Sequence, residues 1–220
     1  MTTNGLHCDT VTPTLRKILS LLMDEPLFNP FRLVGGTNLS LRLGHRKSID
    51  IDLFTEAQYG SLDFSQYEIF LYNNFSYYDN TDPTSIVGLG RGYYIGPSKD
   101  DCIKLDLMYT DPFINDVELI DGIRMASLDD IAAMKINAIS RGGRKKDFWD
   151  VHKLLEIYSL KEMLDLHKKR HEWEHDENQL LDSLIDFSEA NLMDDPVCLE
   201  GKDWDEIKLS FIDIINNYKI

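Results

Sequence analysis

Two aspartates one residue apart, Asp50 and Asp52, stand in the run Ile49-Asp50-Ile51-Asp52-Leu53. Strict alternation predicts a β-strand over Ile49–Phe54, whose successive side chains face opposite ways. Ile49, Ile51 and Leu53 are then expected in a core, with both carboxylates on the other face. Two acids with neither Lys nor Arg between them repel unless they share a cation. A hard divalent ion such as Mg2+ takes oxygen ligands at about 2.0–2.1 Å, commonly one or two carboxylates plus substrate phosphates. Taken alone, such a pair more often marks a solvated acidic face; its surroundings change the balance.

Upstream, Phe31-Arg32-Leu33-Val34 leads into Gly35-Gly36-Thr37 and then a helical stretch. Glycine lets backbone N–H groups approach an anion closely. The start of a helix offers unpaired N–H donors and the positive end of the dipole. The Thr37 hydroxyl can donate to a phosphate oxygen. Gly35, Gly36 and Thr37 are therefore candidate nucleotide-binding residues beside a candidate metal site. Downstream, Cys102-Ile103-Lys104-Leu105-Asp106-Leu107 alternates again and sets Asp106 apart from Ile103, Leu105 and Leu107. If this strand pairs beside the first, three carboxylates converge, which suits two metal ions clamping an in-line phosphoryl displacement. Arg42, Arg46 and Lys135 are candidates to neutralise a triphosphate. Lys135 shares a helical face with Ile131, Ala138 and Ile139 and is costly to bury there without an anion or an acid. Asp147 falls on a face with Val151, Leu154 and Tyr158; orienting Lys135, binding substrate and capping its own helix all remain open for it.

The elements that must position these residues divide into two halves. Pro13–Glu25 has apolar residues at helical spacing, Phe31–Val34 is a short strand, Thr37–Leu43 a short helix and Leu62–Tyr72 another helix. One or two strands are expected around Ile86–Ile95, one over Cys102–Tyr109, and a hairpin over Val117–Met125 turning at Asp121-Gly122. Ser127 with Asp130 reads as an N-cap signature. From there the pattern is helical, over roughly 128–141, 146–158, 160–171, 177–190 and 204–217. The expected fold is mixed α/β: a core domain with a small mixed sheet over residues 1–126, then a helical domain over 127–220.

The run from Val34 to Phe54 closely resembles the nucleotidyltransferase toxins of the AbiEii/AbiGii type, within the DNA polymerase β-like superfamily. The segment Leu41-Arg42-Leu43-Gly44-His45-Arg46 strengthens the likeness beyond a generic glycine and DxD pattern. Ile131–Ile139 looks like that family's lysine-bearing helix, and Arg144-Lys145-Lys146-Asp147-Phe148-Trp149-Asp150 like its basic–aspartate motif. The resemblance covers about residues 30–160. It implies transfer of a nucleoside monophosphate from a nucleoside triphosphate (NTP) to an acceptor hydroxyl, with Mg2+ or Mn2+ at Asp50, Asp52 and Asp106 and Lys135 and Asp147 as further catalytic residues. It also implies the toxin of a toxin–antitoxin or phage-defence pair, with transfer RNA as acceptor and a cognate antitoxin as partner. An antibiotic nucleotidyltransferase and a catalytically silent binding module are the alternatives within the fold.

Composition bounds these readings. The chain has 220 residues, 43% of them hydrophobic, and a net charge of −15. Basic and acidic residues number 16 and 22 up to residue 160, then 7 and 16. The excess acid thus lies mainly in the last third, and a local basic cleft can still hold an anion. No apolar run is long enough for a membrane span, no secretory leader is visible, and three scattered cysteines suggest a reducing, cytoplasmic setting. His171-Glu172-Trp173-Glu174-His175 matches the HExxH zinc-peptidase helix. Its charged flanks point instead to a solvated surface helix, so a metallopeptidase ranks below the transferase.

Overall fold

A computed structural model of the chain describes residues 5–81 and 88–218. Helix α1 (Pro13–Asp24) starts with Thr12 accepting from the Leu15 N–H and with a proline in its first turn, and it buries Leu15, Ile18, Leu19 and Leu22. The short strand β1 (Arg32–Leu33) runs into α2 (Gly35–Leu43), which ends on Gly44 in the left-handed region. Then follow β2 (Asp50–Thr55), α3 (Phe64–Asn74), β3 (Tyr77–Asp79), β4 (Gly90–Gly96), β5 (Ile103–Tyr109), β6 (Glu118–Ile120) and β7 (Ile123–Met125). Helices α4 (Leu128–Ser140), α5 (Lys145–Leu154), α6 (Leu160–Arg170), α7 (Glu177–Ser183) and α8 (Trp204–Tyr218) complete the chain.

The seven strands form one mixed sheet in the order β3-β4-β5-β2-β1-β7-β6. β2 lies parallel to β5, and β1 parallel to β7; the other neighbours are antiparallel. One apolar core joins α1 and α3 to the sheet through Leu15, Phe28, Leu53, Tyr67, Leu105 and Leu107. A second is built by the later helices around Ile131, Ile136, Phe148, Val151, Met163 and Phe211. α2 bridges the two, with Leu41 in the first and Leu39 in the second.

Several expectations shift by a few residues, for identifiable reasons. Ile49 is 65% exposed rather than buried, because β2 begins only at Asp50. α2 begins at Gly35 rather than Thr37, since the bend out of β1 is made by Gly35 itself at φ +68°. The strand expected around Ile86–Ile95 is β4, and Ile86 and Val87 lie outside the described residues. The helix expected over 177–190 stops at Ser183. There the Asp186 carboxylate takes both the backbone N–H (3.0 Å) and the hydroxyl of Ser188, a local turn that competes with helix. The HExxH residues are not helical: α6 ends at Arg170, Glu172–Glu174 forms a 3-10 turn, and His175 is extended. Glu172, Trp173 and Glu174 are exposed, as expected of a solvated surface, with Trp173 at 97%, but the histidines are less so. His171 is nearly buried, and the fully buried His167 meets His175 at 3.0 Å between their Nδ1 atoms and Asn137 Oδ1 at 3.2 Å through Nε2. Among the described residues no helix is long and apolar enough to cross a membrane.

Candidate active site

The alternation of β2 buries Ile51 and Leu53 and leaves Asp50, Asp52 and Phe54 in a row on the opposite face. In the parallel register Asp52 lies opposite Asp106 of β5, so the three acids Asp50, Asp52 and Asp106 meet on two adjacent strands. Above them α2 begins. A Cβ on Gly35 would lie 2.2 Å from Asp52 Oδ2, and Gly35 already has a positive φ of +68°. A Cβ on Gly36 would lie 2.3 Å from Arg46 Nη2. The two glycines therefore serve separate close approaches, one to a carboxylate and one to a guanidinium.

Gly35, Gly36, Asp50 and Asp52, though not Asp106 or Arg46, line a cleft of about 650 Å³ between the carboxylate face of the sheet, α4 and the start of α5. Lys135 and Asp147 line it as well. Burial first, then the charges of Asp106 and Asp50, push the Asp52 carboxyl up to about 6; Lys135 and Lys146 offset part of this. Lys104 Nζ donates to Asp106 at 3.0 Å and Lys146 Nζ to Asp50 at 3.3 Å, so these two acids have partly exposed lysines as partners. Among the described residues no group of three or more His, Cys, Asp or Glu is placed to hold a metal ion by itself. The donor chemistry nevertheless fits a hard divalent ion that draws its remaining ligands from substrate phosphate. A cation here would relieve the repulsion that raises Asp52.

Other predicted site residues are placed differently. The Thr37 hydroxyl does not face the cleft: it is buried, 2.8 Å from Ser48 Oγ and bonded to the Asp50 carbonyl. It fixes the entry into β2, and Ser48 lines the cleft instead. Arg42 is turned away, donating to the Ala126 carbonyl at 3.0 Å and pairing with Glu118 at 2.8 Å. Arg46 is buried beneath α2, where its Nε and Nη2 grip both oxygens of Asp150 at 2.7 Å. His45 Nε2 meets the same carboxylate at 2.7 Å. Lys135 does not project freely: its ammonium lies 2.7 Å from both Asp147 Oδ1 and Asp150 Oδ2. Asp147 combines two of the roles left open for it. Its Oδ1 takes Lys135 and its Oδ2 takes the Arg144 N–H at 3.0 Å, closing the first turn of α5.

These contacts make one buried network of two cations and two acids. Burial raises the carboxyls, but Arg46 and Lys135 hold Asp150 well below the usual carboxylate range, and Lys135 and Arg144 hold Asp147 below it. Burial likewise pulls Lys135 down, but Asp147 and Asp150 outweigh it and leave its pKa raised. Asp150, the centre of the network, and Lys146, the partner of Asp50, were visible only as members of the basic–aspartate run. Spacing alone does not say which of its faces meets β2.

The chain is similar to known proteins along most of its length. The model of the nucleotidyl transferase AbiEii toxin family, a type IV toxin–antitoxin system, matches residues 17–216. An uncharacterized protein of Aquifex aeolicus is 33% identical over 188 residues, covering 80% of this chain and 82% of its own. The structure of JHP933 from Helicobacter pylori superposes with a TM-score of 0.58 at 21% identity, over 92% of this chain and 88% of that one. MenT4, a nucleotidyltransferase toxin of Mycobacterium tuberculosis, gives a TM-score of 0.54 at 11% identity, over 91% and 80%. At those identities the two structures speak for the fold. With a match over nearly its whole length, the chain belongs to the AbiEii family of nucleotidyl transferase toxins.

Proposed function

We propose that the cleft transfers a nucleoside monophosphate from an NTP to an acceptor hydroxyl, with the 3′ end of transfer RNA as acceptor and Mg2+ or Mn2+ as the required ion. The observation that carries this reading is the row Asp50, Asp52 and Asp106 lying under the glycine start of α2. In this scheme the three carboxylates hold the divalent ion, which when bound neutralises phosphate charge and acidifies the acceptor hydroxyl. The backbone N–H groups of Gly35 and Gly36 face the phosphates. Lys146 swings from Asp50 to a phosphate oxygen. Lys135 and Asp147 act from behind: they set the field at Asp52 and the position of α5. The acceptor oxygen attacks the α-phosphorus while Asp106 takes its proton. A new oxygen–phosphorus bond forms, the bond from the α-phosphorus to the bridging oxygen breaks, and that oxygen leaves with the pyrophosphate.

Dividing the chain at residue 126 places the carboxylates in a transferase core and Lys135, Lys146 and Asp147 in a helical domain. Family membership brings a cognate antitoxin as partner; we propose phage defence in the cytoplasm as the setting. Incubation with each NTP labelled at the α-phosphate and with total RNA tests the reading. Labelled transfer RNA should appear only with a divalent ion. Asp50→Asn and Asp52→Asn should each lower the rate by about 10³-fold, the loss of several kcal/mol of charge stabilisation, with unchanged far-UV dichroism. Near-normal transfer by either variant, or label appearing on something other than RNA, would overturn it.

A further inference from the structure

The row on β2 does not end with its acids. Phe54 follows Asp50 and Asp52 on the same face, about 6.7 Å beyond Asp52 at two residues of strand rise. The cleft is also lined by Tyr59, Leu89 and Tyr109 and by Ile131 and Met134 of α4, together with Asp111, Arg141 and His171. The cleft thus carries an apolar, aromatic lining, here called the slot, beside its charged one. The slot is built rather than incidental. The Tyr109 hydroxyl accepts the Leu62 N–H at 2.8 Å, and its ring meets Phe64 edge-on with centroids 5.9 Å apart. Tyr59 leans on Tyr109 at 5.4 Å and remains 63% exposed.

We infer that Tyr59, backed by Tyr109, is the platform on which the base of the incoming nucleotide stacks when its phosphates lie over Asp50 and Asp52. The inference rests on the transferase reading of the cleft. A nucleotide carries its base one ribose away from its α-phosphate, and Tyr59 lines the same cleft as Asp50 and Asp52. An exposed ring supported from behind gains most from a flat, π-faced ligand, and every base offers one.

Titration calorimetry with magnesium and no acceptor tests it, using the four NTPs and ribose 5-triphosphate, which carries the same phosphates without a base. The wild-type protein should bind at least one NTP about tenfold more tightly than ribose 5-triphosphate. Tyr59→Ala should erase that difference and Tyr59→Phe should keep it, both with wild-type melting temperatures. Equal binding of the two ligands by the wild type would overturn the platform alone. So would a Tyr59→Ala variant that keeps its nucleotide affinity but shows a raised KM for RNA, because the ring would then serve the acceptor. Failure of the wild type to bind either ligand would overturn the transferase reading, and this inference with it.

Discussion

Replacing Lys135 by Met tests whether its charge braces the protein or waits for a triphosphate. The side chain is 8% exposed and its ammonium lies 2.7 Å from two carboxylates, themselves 4% and 0% exposed. Methionine has a similar length, and it would suit the apolar stripe if the lysine were idle without ligand. The structure implies the opposite sign. Arg46 and Lys135 balance Asp147 and Asp150, so the variant leaves a buried network with one uncompensated negative charge. Breaking a buried pair on one side destabilises by about 3–5 kcal/mol. Asp150 keeps the Arg46 fork and His45, while Asp147 keeps the Arg144 N–H, so the lower end, about 3 kcal/mol, is expected. For a chain of this size that is a fall of about 6–12 °C in Tm. The sign with pH also inverts. In the wild type the depressed Asp147 and Asp150 carboxyls contribute stability that is present above the unfolded value near 4 and is lost below it. In Lys135→Met the stranded Asp147 carboxyl rises above its unfolded value, so the deficit should shrink as pH falls. Thermal melts at pH 7.5 and 5, with Asp147→Asn and the double variant completing the cycle, give the result. A double variant that recovers most of the loss is expected. A Lys135→Met protein that melts with or above the wild type would refute the brace.

Further outcomes follow from the same geometry. Gly35→Ala must displace Asp52 as well as strain a backbone at φ +68°; transfer should fall by about 10²-fold and stability by about 1–3 kcal/mol, and a kinetically normal variant would show that Asp52 need not sit there. With Asp52 pushed up to about 6, protons compete with the cation, so at subsaturating magnesium the rate should decline below pH 6; a limb near pH 4 would contradict the crowding of the three acids. Burial, then His171 and His175, pull His167 down from 6.5 to about 4, with Glu174 and Arg141 as the other charges near it. The unfolded chain therefore binds the extra proton first, stability should be full above pH 6.5 and fall toward pH 4, and urea titrations of His167→Gln should show a flatter decline. His171→Ala and His175→Ala should retain most transfer activity, and a chelator-sensitive peptidase activity lost in both would reverse the ranking of the two readings.

The carboxylate row was legible because a strand alternates with period two, and Asp50, Asp52 and Asp106 each sit between apolar neighbours. The glycine pair was legible as a turn, though not that each glycine admits a different side chain. Periodicity also exposed Lys135 as a charge in an apolar stripe, but its partners lie 12 and 15 residues on, in another helix, and their approach depends on how α4 packs against α5. Arg42 and Arg46 are near β2 in sequence, yet the left-handed Gly44 reverses the chain and sends Arg46 back under α2. The same limit applies to His171–His175, whose helical spacing is real in the sequence and broken by the end of α6 at Arg170. In each case local pattern identified the residue, and long-range packing decided what it faces.

The Arg46–Asp150 and Lys135–Asp147 contacts also constrain the order in which the molecule can become whole. Asp50, Asp52, Asp106 and both glycines are all synthesised before residue 107, and Lys135 soon after. The acids that neutralise Arg46 and Lys135 come only at 147 and 150, and the strand-like bridge from Arg46 to Cys198 later still. A chain interrupted before Asp147 carries every carboxylate of the cleft with two cations facing an apolar interior and no counter-ion. Such a fragment cannot close α2 and α4 over the row without stranding those charges. Completion of the cleft is thereby tied to synthesis of α5, and a copy that stops short of it has the acids of the cleft without the counter-ions of Arg46 and Lys135.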